Sequence, residues 1–282
     1  MTTAVVIGAG IGGLALAIRL QSAGVATILV EAREQPGGLA GVVRRDGYVF
    51  DTGPTTIADP EPFRALWALS GNDMAEDVRL LPVEPLCRFG WVDGTGFELA
   101  HNEAALRAEI GRHEPGDVAG YARFAAFAEN VRHEGVEWSF PDFGAMLRAG
   151  PALVRSQAWR SAYGLVSRFV RNEKLREALT FRTLLAGGNP MSASALLAFP
   201  DRGQWSVESG MNRLVAGMAA LFRRLGGEIR LGDAATRIGT LGDRVTAVET
   251  ASGWRADCAM LAAGCDAVHA CHDLLAGSAA AA

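Results

Sequence analysis

The sequence predicts an α/β protein in which a Rossmann-like sheet-and-helix domain is interrupted by a mostly helical insertion. Three observations carry this expectation. The chain opens on a short apolar run, a glycine-rich turn, an apolar helical pattern and a second apolar run. Residues 100–190 read mostly as helices, and strand patterns return towards the end of the chain. The expected division is 1–95 with 225–282 for the sheet domain and 96–224 for the inserted one.

Ala4-Val5-Val6-Ile7 has the continuous apolar character of a strand buried on both faces. Gly8, Gly10 and Gly13 follow in the register G-x-G-x-x-G, and Leu14, Leu16, Ala17, Ile18 and Leu20 continue with helical spacing. Ala23-Gly24 ends that helix, Thr27-Ile28-Leu29-Val30 forms a second strand, and Glu31 closes it. Gly8 permits the tight turn off the strand, Gly10 lets backbone amides approach a pyrophosphate, and Gly13 lets the helix pack close to the sheet. The helix N-terminus adds partial positive charge where the phosphates would lie. Glu31 stands 23 residues after Gly8, where an acid accepts hydrogen bonds from an adenosine ribose and repels a 2′-phosphate. The unit is therefore expected to bind a dinucleotide other than NADP.

Composition narrows the class. The 282 residues are 49% hydrophobic and 21% charged with a net charge of −4, which describes a core-forming chain and argues against a nucleic-acid binder. Cys87, Cys258, Cys265 and Cys271 have no disulfide-framework spacing and are expected to be reduced thiols of a cytoplasmic protein. With the first strand starting at about Thr3 no leader peptide is expected, and no apolar run approaches the roughly 18 residues of a spanning helix.

A second glycine-rich turn, Pro36-Gly37-Gly38-Leu39-Ala40-Gly41, comes soon after Glu31, followed by Gly47-Tyr48-Val49-Phe50-Asp51-Thr52-Gly53-Pro54-Thr55-Thr56. Together they resemble the paired-glycine and F-D-x-G-P-T motifs of the phytoene desaturase family, within the flavin amine oxidase superfamily. Leu39 departs from the Arg or Lys usual after the glycines. The resemblance continues through 81–83 and 91–94, 115–124, 146–151, 159–161, 175–178 and 184–190. It returns in strands at 228–231, 244–250 and 256–264, the last resembling the strand that rejoins the cofactor sheet.

The resemblance implies a glutathione reductase-type FAD-binding domain, with FAD as the cofactor and a hydrophobic C40 polyene as the substrate. The candidate cofactor-binding residues are Gly8, Ala9, Gly10, Ile11, Gly12, Gly13, Glu31, Ala32, Gly37, Gly38, Leu39, Ala40, Gly53, Pro54, Thr55, Ala235 and Gly264. By the resemblance Gly53 and Pro54 run near the flavin ring, and the backbone near Ala235 reaches the adenine. No catalytic side chain is assigned, because a flavin carries the hydride chemistry of desaturation itself. No G-x-S-x-G, P-loop or histidine triad is present. Cys265, His269, Cys271 and His272 lack zinc-site spacing, so no metal is expected.

Between 151 and 172, Trp159, Ala162, Tyr163, Leu165, Val166, Phe169 and Val170 fall on one helical face, with Arg160, Arg168 and Arg171 opposite. Residues 144–182 hold eight Lys or Arg (Arg148, Arg155, Arg160, Arg168, Arg171, Lys174, Arg176 and Arg182) against Glu173 and Glu177. Such a segment either lies on a membrane surface, here the inner face of the cell membrane, or packs on the core with a solvated arginine face. The family pattern runs to about 500 residues, so the C-terminal portion of the family fold is expected to be absent. Three readings follow: a carotenoid desaturase, another amine oxidase-like flavoprotein, or a catalytically silent nucleotide-binding fragment. The oligomeric state is not legible.

Overall fold

In the computed structural model, residues 3–100, 102–133, 143–200 and 203–275 are described. In chain order, β1 (Thr3–Ile7), α1 (Ile11–Ser22) and β2 (Ala26–Val30) open the fold, followed by β3 (Val42–Arg45), β4 (Tyr48–Asp51), α2 (Glu61–Ala68) and β5 (Leu80–Pro82). Then come β6 (Cys87–Gly90), β7 (Gly96–Leu99), α3 (Glu103–His113), α4 (Val118–His133), α5 (Phe143–Ser156), α6 (Ala162–Val166), α7 (Glu173–Thr180) and α8 (Arg182–Leu185). The rest is β8 (Trp205–Val207), α9 (Met211–Arg224), β9 (Glu228–Arg230), β10 (Ala235–Leu241), β11 (Arg244–Thr250), β12 (Arg255–Asp257) and β13 (Met260–Ala263), then a π-helical turn at His269–Leu274.

The first unit, residues 1–82 and 205–282, is built on a parallel sheet of order β13-β1-β2-β9. Its central strands are apolar apart from Thr3 and Thr27, as suits strands covered on both faces. Val6 and Leu29 join the core made with α1 and α9, while Val5, Ile7 and Val30 join Ile238, Val248 and Cys258 of the antiparallel β10-β11-β12 sheet and the bend that follows it. The stretch 256–264, expected as one strand, is two. The chain leaves β12, where Ala256 pairs with Val248, passes Cys258, and enters β13, where Leu261 pairs with Val5. The Cys258 amide donates to Thr246 and the Ala259 amide to Thr3, so the bend changes partner sheet within two residues.

Within this unit Trp67 is fully buried, and its Nε1–H donates to Asp77 Oδ2 at 2.7 Å. Arg224 closes on the same carboxylate at 2.6 Å and holds its pKa below the ordinary carboxylate value.

The second unit, residues 83–204, packs the β6-β7 hairpin with α3, α4, α6 and α7 around Phe97, Leu106, Ile110, Phe124, Leu165, Val166 and Leu179. Buried Asp117 accepts the backbone amides of Arg171 and Asn172 at 2.7–2.9 Å and fixes the approach to α7. The unit boundaries differ from the expected 95/96 and 224/225. β8 pairs with β5 and α9 packs on α1, which draws 205–224 into the first unit, whereas β6-β7 shares the core of α3 and α7.

The amphipathic helix expected over 151–172 is broken. Gln157 has a φ of 55°, and Ser161 bridges to Ser194 as the chain turns into the short α6. Ala162, Leu165, Val166 and Val170 are wholly buried in the unit's own core, so most of the apolar face is spent internally. Trp159 is an exception, at 63% exposed. Among the described residues, no helix is long and apolar enough to cross a membrane.

Candidate dinucleotide site

At the carboxyl ends of β1 and β2 a pocket of about 890 Å³ opens in the first unit. Gly8, Gly10, Ile11, Gly12, Glu31, Ala32, Gly37, Gly38, Leu39, Ala40, Pro54, Ala235 and Gly264 line it. The structure thus brings together thirteen of the seventeen residues singled out from sequence.

The glycine turn is built by steric necessity. Gly8 has a φ of 97°, and a Cβ on Gly13 would stand 1.9 Å from the Gly8 carbonyl oxygen, so α1 can pack this closely only on glycine. Gly10 caps α1 without any side-chain hydrogen bond. The first amides of α1 therefore face a pocket lined by Gly10, Ile11 and Gly12, where an anion can take them.

The second glycine turn is stacked on the first, backbone to backbone. The Gly37 amide donates to the Ala9 carbonyl at 2.8 Å, and Gly10 and Gly37 form a parallel bridge. A Cβ on Gly38, whose φ is 56°, would lie 3.2 Å from Gly10 Cα. The segment 51–55 closes on this stack: the Thr52 amide donates to Gly41, and a Cβ on Gly53 would lie 2.0 Å from the Leu39 carbonyl oxygen. Asp51 in turn accepts the Met211 amide at 2.9 Å at the start of α9.

Glu31 is 8% exposed and organises the opposite wall. Its Oε2 accepts the Ala9 amide at 2.7 Å and its Oε1 the Arg33 amide at 2.9 Å. A carboxylate offers about four lone-pair sites, so two remain for the hydroxyls of a diol. Arg33 reaches back with Nη1 3.0 Å from the Gly38 carbonyl, tying the acid's loop to the second turn.

Four of the singled-out residues do not line the pocket. Ala9 is buried beneath it as the donor to Glu31, Gly13 and Gly53 are packing contacts, and Thr55 is exposed outside it. Sequence reasoning passed over Ile7, Val30, Arg33, Ala234, Cys265, Asp266 and His269. Ala234 arrives because the preceding residue, Asp233, accepts hydrogen bonds from Ser252 and Thr250 and so pins the entry to β10.

In the second unit, a cavity of about 670 Å³ has a floor that includes Leu86, Leu99, Leu106, Ala125 and Leu179. Arg107 and Arg132 on its wall are paired with Glu103 and Glu129. Tyr121, also on the wall, is 2% exposed, and burial pushes its phenol up to about 12, so it adds no charge at neutral pH. Cys265, His269, Cys271 and His272 do not gather into a metal site: among the described residues, no three His, Cys, Asp or Glu side chains are placed to hold an ion.

The family described as flavin containing amine oxidoreductase matches residues 11–275. A lycopene-forming phytoene desaturase of Paracoccus sp. is 46% identical over 97% of this chain and 56% of its own length. The lycopene-forming phytoene desaturase of Pantoea ananas is 41% identical over 98% of this chain and 58% of its own. The chain thus spans just over half the length of these curated relatives. Among solved structures, a Pyrococcus furiosus protein superposes with a TM-score of 0.65 at 14% identity, covering 96% of this chain and 61% of that one. Putrescine oxidase bound to putrescine gives 0.57 at 18% identity, covering 92% and 57%. At these identities the two structures speak to the fold alone.

Proposed function

The chain belongs to the flavin containing amine oxidoreductase family, and on that premise we propose that it serves the FAD-dependent desaturation of a C40 polyene, converting a phytoene-type precursor into more unsaturated carotenes. The observation that carries this reading is the double glycine cradle with Glu31 beside it, in a chain 46% identical to a phytoene desaturase. The cradle fits a dinucleotide because Gly8, Gly38 and Gly264 let backbone pack on backbone, so that the pocket is lined at these positions by main chain without side chains.

The first amides of α1, with Gly10, Ile11 and Gly12, would hold the pyrophosphate, Glu31 the ribose hydroxyls, and Ala235 the adenine. Leu39, Ala40 and Pro54 would lead towards the flavin. When bound, the flavin supplies a two-electron acceptor for hydride from an allylic carbon. The chain's own contribution is orientation and an apolar environment, to which the cavity over Leu99, Leu106 and Leu179 is suited. Purified protein is expected to show a flavin absorption band, and expression in a phytoene-producing host to yield coloured carotenes. A colourless protein that binds only ADP would favour the silent nucleotide-binding reading instead.

The peripheral membrane contact of this proposal keeps only Trp159 of the expected helical face and otherwise falls on side chains outside it. Leu147, Val154, Trp159, Leu184, Leu185 and Met191 are all more than half exposed in the second unit. Hydrogen bonds from Ala162 to Ala193 and from Tyr163 to Pro190 bring the Trp159 and Met191 segments side by side. Exposed Arg168 and Arg171 add positive charge suited to anionic lipid. A Trp159→Ser, Leu185→Ser double variant is expected to bind anionic vesicles at least about tenfold more weakly than wild type in flotation, since even a fraction of the roughly 1.5–3 kcal/mol of full burial per side chain, about 0.7 kcal/mol each, amounts to a factor of ten. Flotation equal to wild type would remove the contact from this surface.

A further inference from the structure

Cys265, Asp266 and His269 form one wall of the dinucleotide pocket. Their loop follows Gly264, which packs against the glycine turn: a Cβ on Gly8 would stand 3.3 Å from the Gly264 carbonyl carbon, and one on Gly264 3.5 Å from Gly13 Cα. The sheet order β13-β1-β2 therefore sets this loop beside the start of α1, on the opposite side of β1 from Glu31.

His269 is held in orientation. Its Nδ1 lies 2.7 Å from Asp273 Oδ2, and the other oxygen of Asp273 lies 2.9 Å from His272 Nδ1. The His272 and His269 imidazoles hold the Asp273 carboxyl below the ordinary carboxylate range. An ionised carboxylate only accepts hydrogen bonds, so Nδ1 of His269 carries a proton towards Asp273 and Nε2 is the other ring nitrogen of this pocket residue. Asp266 is turned onto its own loop, where Oδ1 accepts the amides of Val268 and His269 at 2.9 and 3.1 Å.

We propose that His269, positioned by Asp273, contacts a pyrophosphate oxygen of the bound dinucleotide from the β13 side, across from the amides of α1. The inference rests on the dinucleotide reading above. The ionisable side chains of the pocket wall include the acids Glu31 and Asp266 and the cation Arg33, whose guanidinium is engaged by the Gly38 carbonyl. A doubly charged pyrophosphate beside two carboxylates gains from a further donor; with Nδ1–H given to Asp273, the ring donates to the pyrophosphate through a second proton on Nε2, so the contact forms with the doubly protonated ring. His272 is 84% exposed at its side chain and serves only to share Asp273.

Calorimetric titration of the full chain with ADP and with adenosine tests this. His269→Ala is expected to weaken ADP about tenfold and leave adenosine unchanged. His269→Gln, whose amide can donate, recovers part of the loss, and His272→Ala stays within about twofold of wild type. ADP affinity equal to wild type in His269→Ala overturns the proposal. So does an equal loss for ADP and adenosine, which marks the ring as structural. A wild-type chain that binds neither ADP nor FAD overturns the dinucleotide reading instead.

Discussion

Gly13→Ala is expected to destabilise the first unit by about 3 kcal/mol, at the upper end of ordinary overpacking costs. The added methyl would sit 1.9 Å from the Gly8 carbonyl oxygen, a backbone atom held between two strands: the Gly8 amide donates to Val30, and the Gly264 amide to Ile7. Neither side can yield as a flexible side chain would, so α1 has to lift off the sheet. Thermal melting reads this as a fall of roughly 6–10 °C for a unit of this size. Gly12→Ala is the matched control. Nothing lies within 4 Å of its Cβ, and the helix gains about 1 kcal/mol of propensity. A Gly13→Ala protein that melts with wild type would show that the helix is not seated as described.

Glu31→Ala is expected to lower ADP affinity roughly 10- to 100-fold, the loss of one hydrogen-bond acceptor pair to a charged group. The variant also leaves the Ala9 amide, on a residue with no exposed surface, without its acceptor, at about 1–3 kcal/mol of stability. Glu31→Gln separates the two effects. Its single amide oxygen can serve Ala9 or Arg33 but not both, so stability falls less than in Glu31→Ala while ADP binding still weakens. Calorimetry and melting measured together check the pair; ADP affinity unchanged in Glu31→Ala would remove the acid from the ribose.

The opening βαβ unit is legible in the sequence because its signals are local: four apolar residues, three glycines at fixed spacing, and an acid at the end of the next strand. The stacking of Gly37 and Gly38 on Ala9 and Gly10 is not, since the spacing of the two turns says nothing of the bond between them. Ala234 and His269 reach the pocket from more than 200 residues beyond Gly8, through a β-meander and a π-helical turn with no periodic signature. The helical face at 151–172 is apolar as its period implies, but tertiary hydrogen bonds to residues 190–195 override that period and fold the face inward.

The pairing of β13 with β1 has a consequence for biosynthesis. Val5 pairs with Leu261, which the ribosome adds 256 residues later (261 − 5). At translation rates of about 5–20 residues per second, one edge of β1 waits roughly 13–50 s for its partner. During that wait an apolar strand with unpaired amides and carbonyls is open to other nascent chains, the situation in which chaperone capture competes with aggregation. The edge of β1 is therefore the part of the first unit's sheet that most needs guarding while the rest of the chain is made.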